Sequence, residues 1–295
     1  NFEDLELDKL NSSNETGSKI ISKLLKLANK NQNEILSKFP KVLRRVGGYN
    51  IDALLPDAMS SRPNGKVGDG INLSHLLVGS EGTPAYSSSI TLKLSILPSQ
   101  KIMGICHFPS FYEAMDAAQH IVKLNPIAVE LVDDTMLSLA RKIDMFKPTV
   151  EAVVKGNPKS LLLVEFAEEL MVDNHIQLRK LHDLTGSLGY TWKGPPNKLG
   201  GVIDVISNDL QAKVSEMRKS GLNIMMSMKD EAKPVSFVED CAVELKDLAE
   251  YTDGLNKIFD KYETKGTWYA HASVGCLHVR PVLNMKLQND VSKMR

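Results

Sequence analysis

The chain has 295 residues, 42% of them hydrophobic and 24% charged, with 36 lysines and arginines balanced by 36 aspartates and glutamates for a formal net charge of zero. This composition excludes a disordered, collagen-like or coiled-coil chain. The charge balance excludes the broad basic surface on which general nucleic-acid affinity rests, so no nucleic-acid partner is expected.

The three cysteines, Cys106, Cys241 and Cys276, show no C-x-x-C spacing. They do not make an iron–sulfur centre among themselves, which takes four thiolates, and they are too few for a secreted disulfide framework. A reduced, cytoplasmic setting is expected, free or peripheral on the inner membrane. No apolar run reaches the roughly 18–20 residues of a membrane span. The start at Asn1-Phe2-Glu3, without Met, basic leader or apolar signal core, suggests a piece of something longer.

In chain order, Asn11, Ser12, Ser13 and Asn14 offer capping groups ahead of a helix in which Ile20, Leu24, Leu27 and Ala28 recur at three- and four-residue steps. Pro40 ends or bends it. Residues 44–52 (RRVGGYNID) are too rich in glycine and polar groups for a plain helix, and 56–70, with two prolines and three glycines, reads as an exposed loop. Leu76-Leu77-Val78 leads into Gly79-Ser80-Glu81-Gly82-Thr83, and 90–97 (ITLKLSIL) alternates as a strand does. Pro98 marks the expected boundary between domains 1–98 and 99–295.

A strand–helix rhythm follows. Strands are predicted over 101–106, 127–132, 161–166, 223–228, 268–272 and 277–283. Helices are predicted over 112–122, 136–143, 168–184, 209–220 and 245–262. Helices covering one face of a mixed or antiparallel sheet satisfy this order, which makes the class α+β, with α/β as its neighbour.

Three constellations bear on chemistry. His271 and His278 stand seven positions apart. An unbroken strand would separate them by roughly 23 Å, on opposite faces, and a helix by about 10 Å along its axis. Two ligands of one ion, each about 2.0–2.1 Å from it, therefore require the chain to fold back between them, which Gly275 permits. The competing reading is two unrelated histidines, since no third ligand is visible nearby. Gly79-Ser80-Glu81-Gly82-Thr83 presents backbone N–H groups suited to an anion or a flat cofactor, or is simply a tight turn. It matches neither the Rossmann nor the P-loop pattern. Glu239-Asp240 offers adjacent carboxylates for acid–base work but more often such a pair marks a strand end or helix start; Glu130 and Asp133 read the same way. The remaining histidines, at 75, 107, 120, 175 and 182, stand singly and read as structural or exposed. The methionines at 225, 226 and 228 read as core filling.

Taken together, LLVGSEGT (76–83), RRVGGYNIDAL (44–54) and HASVGCLHVRP (271–281) resemble the FAD-linked oxidase family with the p-cresol-methylhydroxylase-type flavin fold. That is the group of cytochrome-type D-lactate dehydrogenases, glycolate oxidase flavoprotein subunits and D-2-hydroxyglutarate dehydrogenases. The wording, with KPVSFVEDCAV upstream of the histidines, most resembles long bacterial proteins that fuse this flavin module to a C-terminal iron–sulfur domain.

The resemblance implies the C-terminal part of an FAD-binding domain over 1–98, then a substrate (cap) domain of helices packed on a mostly antiparallel sheet. It implies FAD contacts from Tyr49, Gly79, Ser80, Glu81, Gly82 and Thr83, and a divalent metal, zinc or manganese, on His271 and His278. Arg280 is the candidate clamp for a substrate carboxylate, with a structural or solvated arginine as the competing reading. The implied reaction is oxidation of a small D-2-hydroxy acid to the 2-oxo acid by hydride transfer to FAD. Electrons would then pass to an iron–sulfur domain, another acceptor protein or a quinone. The Gly-rich pyrophosphate half of the flavin site, the Gly-Glu-His-Gly element and the iron–sulfur cysteines of the family are not in this sequence. The chain is therefore expected to be a fragment with little activity alone. A non-catalytic binding or assembly module that keeps the fold without cofactor is the alternative.

Overall fold

A computed structural model describes residues 16–44, 48–55, 71 and 73–295. The predicted capping residues 11–14, residues 45–47 of the glycine-rich element, the loop over 56–70 and Asn72 lie outside them. The chain divides into two compact units, 1–95 and 96–295.

In the first unit, helices α1 (Thr16–Lys30) and α2 (Gln32–Lys38) pack with a short 3-10 turn, Ile51–Leu54. Their core is Leu25, Ala28, Ile35, Leu54, Leu55 and Ile71. The buried stripe of α1 runs through Ile21, Leu24, Leu25 and Ala28, whereas Ile20 and Leu27 of the expected face are half exposed. The correction is a rotation of the helix, because 21, 24, 25 and 28 follow the i, i+3, i+4, i+7 rule more closely. Phe39 is extended ahead of Pro40, so α2 stops where proline forbids the preceding residue a helical conformation. The strand expected over 90–97 does not form. These residues belong to no ladder among the described residues, and Leu94 and Ile96 are 83% and 95% exposed. Alternation supplies the two faces of a strand, but a strand also needs a neighbour for its N–H and C=O groups.

The second unit is built on an eight-stranded sheet. Its long strands are β1 (Ile102–Phe108), β2 (Ala128–Asp133), β3 (Ser160–Phe166), β4 (Gly201–Val205), β7 (Gly266–His271) and β8 (Cys276–Leu283). Two-residue strands β5 (Lys233–Pro234) and β6 (Cys241–Ala242) complete it. The order is β4-β1-β3-β2-β7-β8-β5, with β6 also on β8, and every pairing is antiparallel. The first four strands alternate with helices as β-α-β-α-α-β-α-β.

Helices lie on both faces, not one. On the first, α3 (Phe111–Ile121), α6 (Met171–Ser187) and α9 (Leu248–Lys261) bury Cys106, Phe108, Leu162, Val164, Trp268 and Leu277. On the second, α4 (Asp134–Ala140), α5 (Lys147–Val153), α7 (Asn208–Lys219) and α8 (Gly221–Met226) bury Met103, Ile105, Leu161 and Leu163. The physical reason is visible in β1 and β3. Nearly all their residues are apolar and buried, and a strand apolar on both sides needs cover on both sides. Each large side chain so buried contributes about 1.5–3 kcal/mol.

Of residues 223–228, expected as a strand, 223–226 belong instead to α8, with Ile224 and Met225 in the core. A short apolar run fits either element, and its Leu and Met residues lean to helix. A short helix, α10 (Gln288–Met294), ends the chain.

Two buried polar groups lock the strands. Asp133 caps α4 by accepting the Met136 N–H at 2.7 Å, and its second oxygen accepts the Trp268 N–H of β7 at 3.0 Å. Burial pushes its carboxyl up to about 7 against the pull of those two donors. His107 is the structural histidine expected: Nδ1–H donates to the Ile105 carbonyl at 2.9 Å, and Nε2 accepts the Lys155 N–H at 3.1 Å. Burial lowers its pKa to about 4. The unfolded chain, with an ordinary histidine near 6.5, binds more protons between those values, so stability rises with pH there and falls on acidification. We expect His107 to remove about 2–3 kcal/mol of stability between pH 7 and 4.5. Urea unfolding across that range should show a shallower pH dependence in His107→Gln than in the parent.

Candidate functional site

The helical layer on the second face ends before β7 and β8: no residue of either strand joins its core. What stands there is polar. Cross-strand register sets Glu130 of β2 opposite His271, and His271 opposite Cys276. One step along the same face, Val132, Tyr269 and His278 line up, and beyond them Thr267 faces Arg280.

The histidines meet because the chain folds back. β7 ends at His271, a single 3-10 turn covers Ala272–Val274, and Gly275 starts the return with φ 66°. A Cβ on Gly275 would lie 2.0 Å from the Val243 carbonyl oxygen, so glycine is required both for its backbone angle and for space. The two imidazoles stand edge to face with ring centroids 5.3 Å apart.

Carboxylates surround them. His271 Nδ1–H donates to Glu130 Oε1 at 2.8 Å, which fixes the tautomer and leaves Nε2 as a lone pair. Glu130 Oε2 accepts from Arg218 Nη2 at 2.6 Å, and the Arg218 guanidinium lies 5.2 Å over the Tyr269 ring. Tyr269 stacks on His278 at 4.6 Å. His278 Nδ1 lies 2.7 Å from Asp240 Oδ1 and 3.9 Å from Glu239 Oε1, yet this buried nitrogen has no partner at hydrogen-bonding angles. Burial lowers the His278 pKa, with Asp240 working against it and His271 adding to it. The ring is neutral at pH 7.

Glu239 accepts Nε and Nη2 of Arg280 at 3.0 and 2.6 Å, the Tyr269 hydroxyl at 3.0 Å and the Ser236 hydroxyl. Burial pulls its pKa up, and these hydrogen bonds, Arg280's foremost, overcome that and hold it below the usual range.

The expected site residues are thus partly gathered. His271, His278 and Arg280 share one face. Arg280 points its donors at Glu239, and the carboxylates that sequence spacing suggested as a mere strand end, Glu239 and Asp240, form a close group with His278. Two carboxylates thus stand beside His278 in space, with His271 outside that close group. Arg218 and the role of Glu130 had no local signal, being 88 residues apart. Beside His271, a cavity of about 270 Å³ is lined by Met103, Ala128 and Leu163, by Arg218 and Lys219, and by Glu130 and Glu165. Arg218 Nε is buried there without a partner.

In the first unit, residues 79–83 form a turn with positive φ at Gly79, Glu81 and Gly82. The Ser80 and Thr83 hydroxyls donate to the Leu77 and Ser80 carbonyls, Tyr49 hydrogen-bonds Thr83 at 2.8 Å, and Asn50 holds the carbonyls of His75 and Val78. With its hydroxyls turned inward, the turn offers its backbone, and Gly82 has open space where a Cβ would stand.

A family model described as "FAD linked oxidases, C-terminal domain" matches residues 97–295. The chain is 29% identical over 273 residues to a protein named D-2-hydroxyglutarate dehydrogenase from Pantoea ananatis, covering 90% of this chain and 25% of that one. It is 27% identical over 287 residues to the protein of that name from Escherichia coli, covering 94% and 26%. It is 32% identical over 143 residues to a probable mitochondrial D-lactate dehydrogenase from Danio rerio, covering 44% and 29%. The chain thus spans about a quarter of the length of the first two.

Gly275→Ala is expected to lower unfolding stability by about 2 kcal/mol or more, since it adds left-handed strain and a backbone clash. Chemical denaturation measures the loss. Imidazole NMR shifts should show His271 and His278 leaving their common environment.

Proposed function

The chain belongs to the FAD-linked oxidase family through its C-terminal domain, and from that premise we propose that it is the substrate-handling part of a dehydrogenase that oxidises a D-2-hydroxy acid to the 2-oxo acid. The observation that carries this is the face shared by His271, His278 and Arg218 beside a cavity large enough for a small organic acid.

The residues fit a divalent ion. His271 presents Nε2 because Glu130 holds Nδ1–H. His278 is neutral and has an unsatisfied nitrogen. The 5.3 Å between centroids is compatible with one nitrogen from each ring about 2.1 Å from a single ion. Such an ion supplies Lewis-acid polarisation of a bound hydroxyl. The backbone of 79–83 fits contact with a flat cofactor, and FAD supplies the hydride acceptor.

Arg218 binds the acid's carboxylate. Its guanidinium lines the cavity, Nε lacks a partner, and a guanidinium takes a carboxylate on two N–H groups. Arg280 instead holds Glu239 in place through two N–H donors. Glu130 and Glu239 are each engaged by a guanidinium and a ring-bearing side chain, so neither is assigned as the base that takes the hydroxyl proton. The relatives' names point to 2-hydroxyglutarate and lactate as the substrates to try first, with a further acceptor protein or quinone receiving the electrons.

The test is a visible spectrum of the full-length protein. A flavin band that bleaches anaerobically on adding D-2-hydroxyglutarate or D-lactate supports the dehydrogenase. A colourless protein, or a flavin indifferent to a panel of such acids, overturns it in favour of a module without cofactor. Arg218→Lys, which keeps the charge beside Glu130, should raise KM for the acid about ten- to hundred-fold. That is the range for losing a charged hydrogen bond of about 1.5–3 kcal/mol.

A further inference from the structure

We propose that the cavity beside His271 takes the side chain of the 2-hydroxy acid, that this side chain is apolar and uncharged, and that Glu165 is the residue that turns away a second carboxylate. The inference rests on the dehydrogenase reading above and narrows its substrate. It sets a monocarboxylic acid with a hydrocarbon side chain of a few carbons above 2-hydroxyglutarate.

Strand register lays out the second face in rows. Leu163 of β3 stands opposite Glu130 of β2, which in turn faces His271. Two residues further along β3, on the same face, Glu165 has Met103 of β1 on one side and Ala128 of β2 on the other. Both rows line the cavity, and Arg218 and Lys219 of α7 line it too. An acid held by Arg218 next to His271 therefore has its side chain over Leu163, toward the row of Met103, Glu165 and Ala128.

Two properties of that row select the side chain. The first is apolar surface. Met103 and Leu163 are each 3% exposed, so a group laid on them leaves water, which favours hydrocarbon and disfavours charge. The volume of about 270 Å³ lies just under the about 300–1,000 Å³ of ordinary ligand sites, which suits a short chain.

The second is the carboxylate already there. The Glu165 side chain is 16% exposed, and its two oxygens each lie 3.4 Å from Lys101 Nζ, so that lysine is already matched. A second carboxylate on the substrate would stand beside the first, and like charges so placed are strongly disfavoured. Lys219 has the opposite sign, but it is exposed, and a lysine in water contributes little to a pair. Arg218 differs: its side chain is 14% exposed and its Nε is buried without a partner. The cavity thus has one built place for a carboxylate, and the carboxylate next to the hydroxyl fills it.

The test compares D-lactate, D-2-hydroxyisocaproate and D-2-hydroxyglutarate on the full-length protein. Anaerobic flavin bleaching at equal low concentration reads turnover, and thermal shift reads binding. The isocaproate should bleach about tenfold faster than lactate and more than tenfold faster than hydroxyglutarate. Glu165→Gln should speed hydroxyglutarate about tenfold and leave the isocaproate within about twofold of the parent. Ala128→Leu, which fills the cavity, should slow the isocaproate about tenfold and lactate less than about twofold. Lys219→Met should move none of the three by more than about twofold.

A parent that prefers hydroxyglutarate overturns the inference, as does a folded Glu165→Gln that keeps the parent's ratios. So does a loss in Lys219→Met confined to hydroxyglutarate. Thermal shifts in the expected order without bleaching uphold the cavity's selectivity and overturn the dehydrogenase reading alone. Neither shift nor bleaching with any of the three acids overturns both.

Discussion

The site depends on a close approach that a single residue allows. The return of β8 onto β7 brings the backbone at position 275 against the Val243 carbonyl, leaving no room for even one methyl group. From that contact follow the pairing of β6 with β8, the placement of Glu239 and Asp240 beside the second strand, and the meeting of two imidazoles that neither a straight strand nor a helix would bring together. The Val243 N–H donates to the Gly275 carbonyl at 2.9 Å, so the same two residues both crowd and hold each other.

Around the hairpin, charge is arranged in short alternating chains. Arg218, Glu130 and His271 form one, and Arg280, Glu239 and Tyr269 another. In each, a guanidinium neutralises a carboxylate that then orients a ring-bearing side chain. Such pairs, largely withdrawn from water, are stronger in fixing geometry than in adding stability. They hold the aromatic and imidazole rings in defined planes, and they keep Glu239 ionised without leaving it uncompensated.

Much of the architecture was legible in the sequence. The strands at 102–108, 128–133, 160–166 and 276–283 and the helices between them follow apolar periods long enough to be unambiguous. The short run at 221–226 was not, because six residues carry too little period to separate helix from strand. β4, five residues long with only part of its length apolar, was missed for the same reason. The second helical layer was implied by the uninterrupted apolar run of β3, a sign that both faces are covered.

For the site, spacing between His271 and His278 posed the right question, but its answer lay in a turn. Arg218 reaches Glu130 across 88 residues, and Asp240 reaches His278 through a two-residue strand. Contacts of that kind arise from register between distant segments, which no local pattern records.

The apolar residues at 90–97 are set against solvent. Ile90, Leu92, Leu94 and Ile96 present an apolar row to solvent, with Lys93 the only charge among these eight residues, and the backbone beside them has no ladder neighbour among the described residues. A β-prone, weakly charged apolar segment of this sort, exposed to solvent, is one onto which another chain adds. Handling the polypeptide at high concentration therefore sets folding against self-association. A second lysine on that row is the simplest means of keeping it dispersed without touching the sheet that carries the histidines.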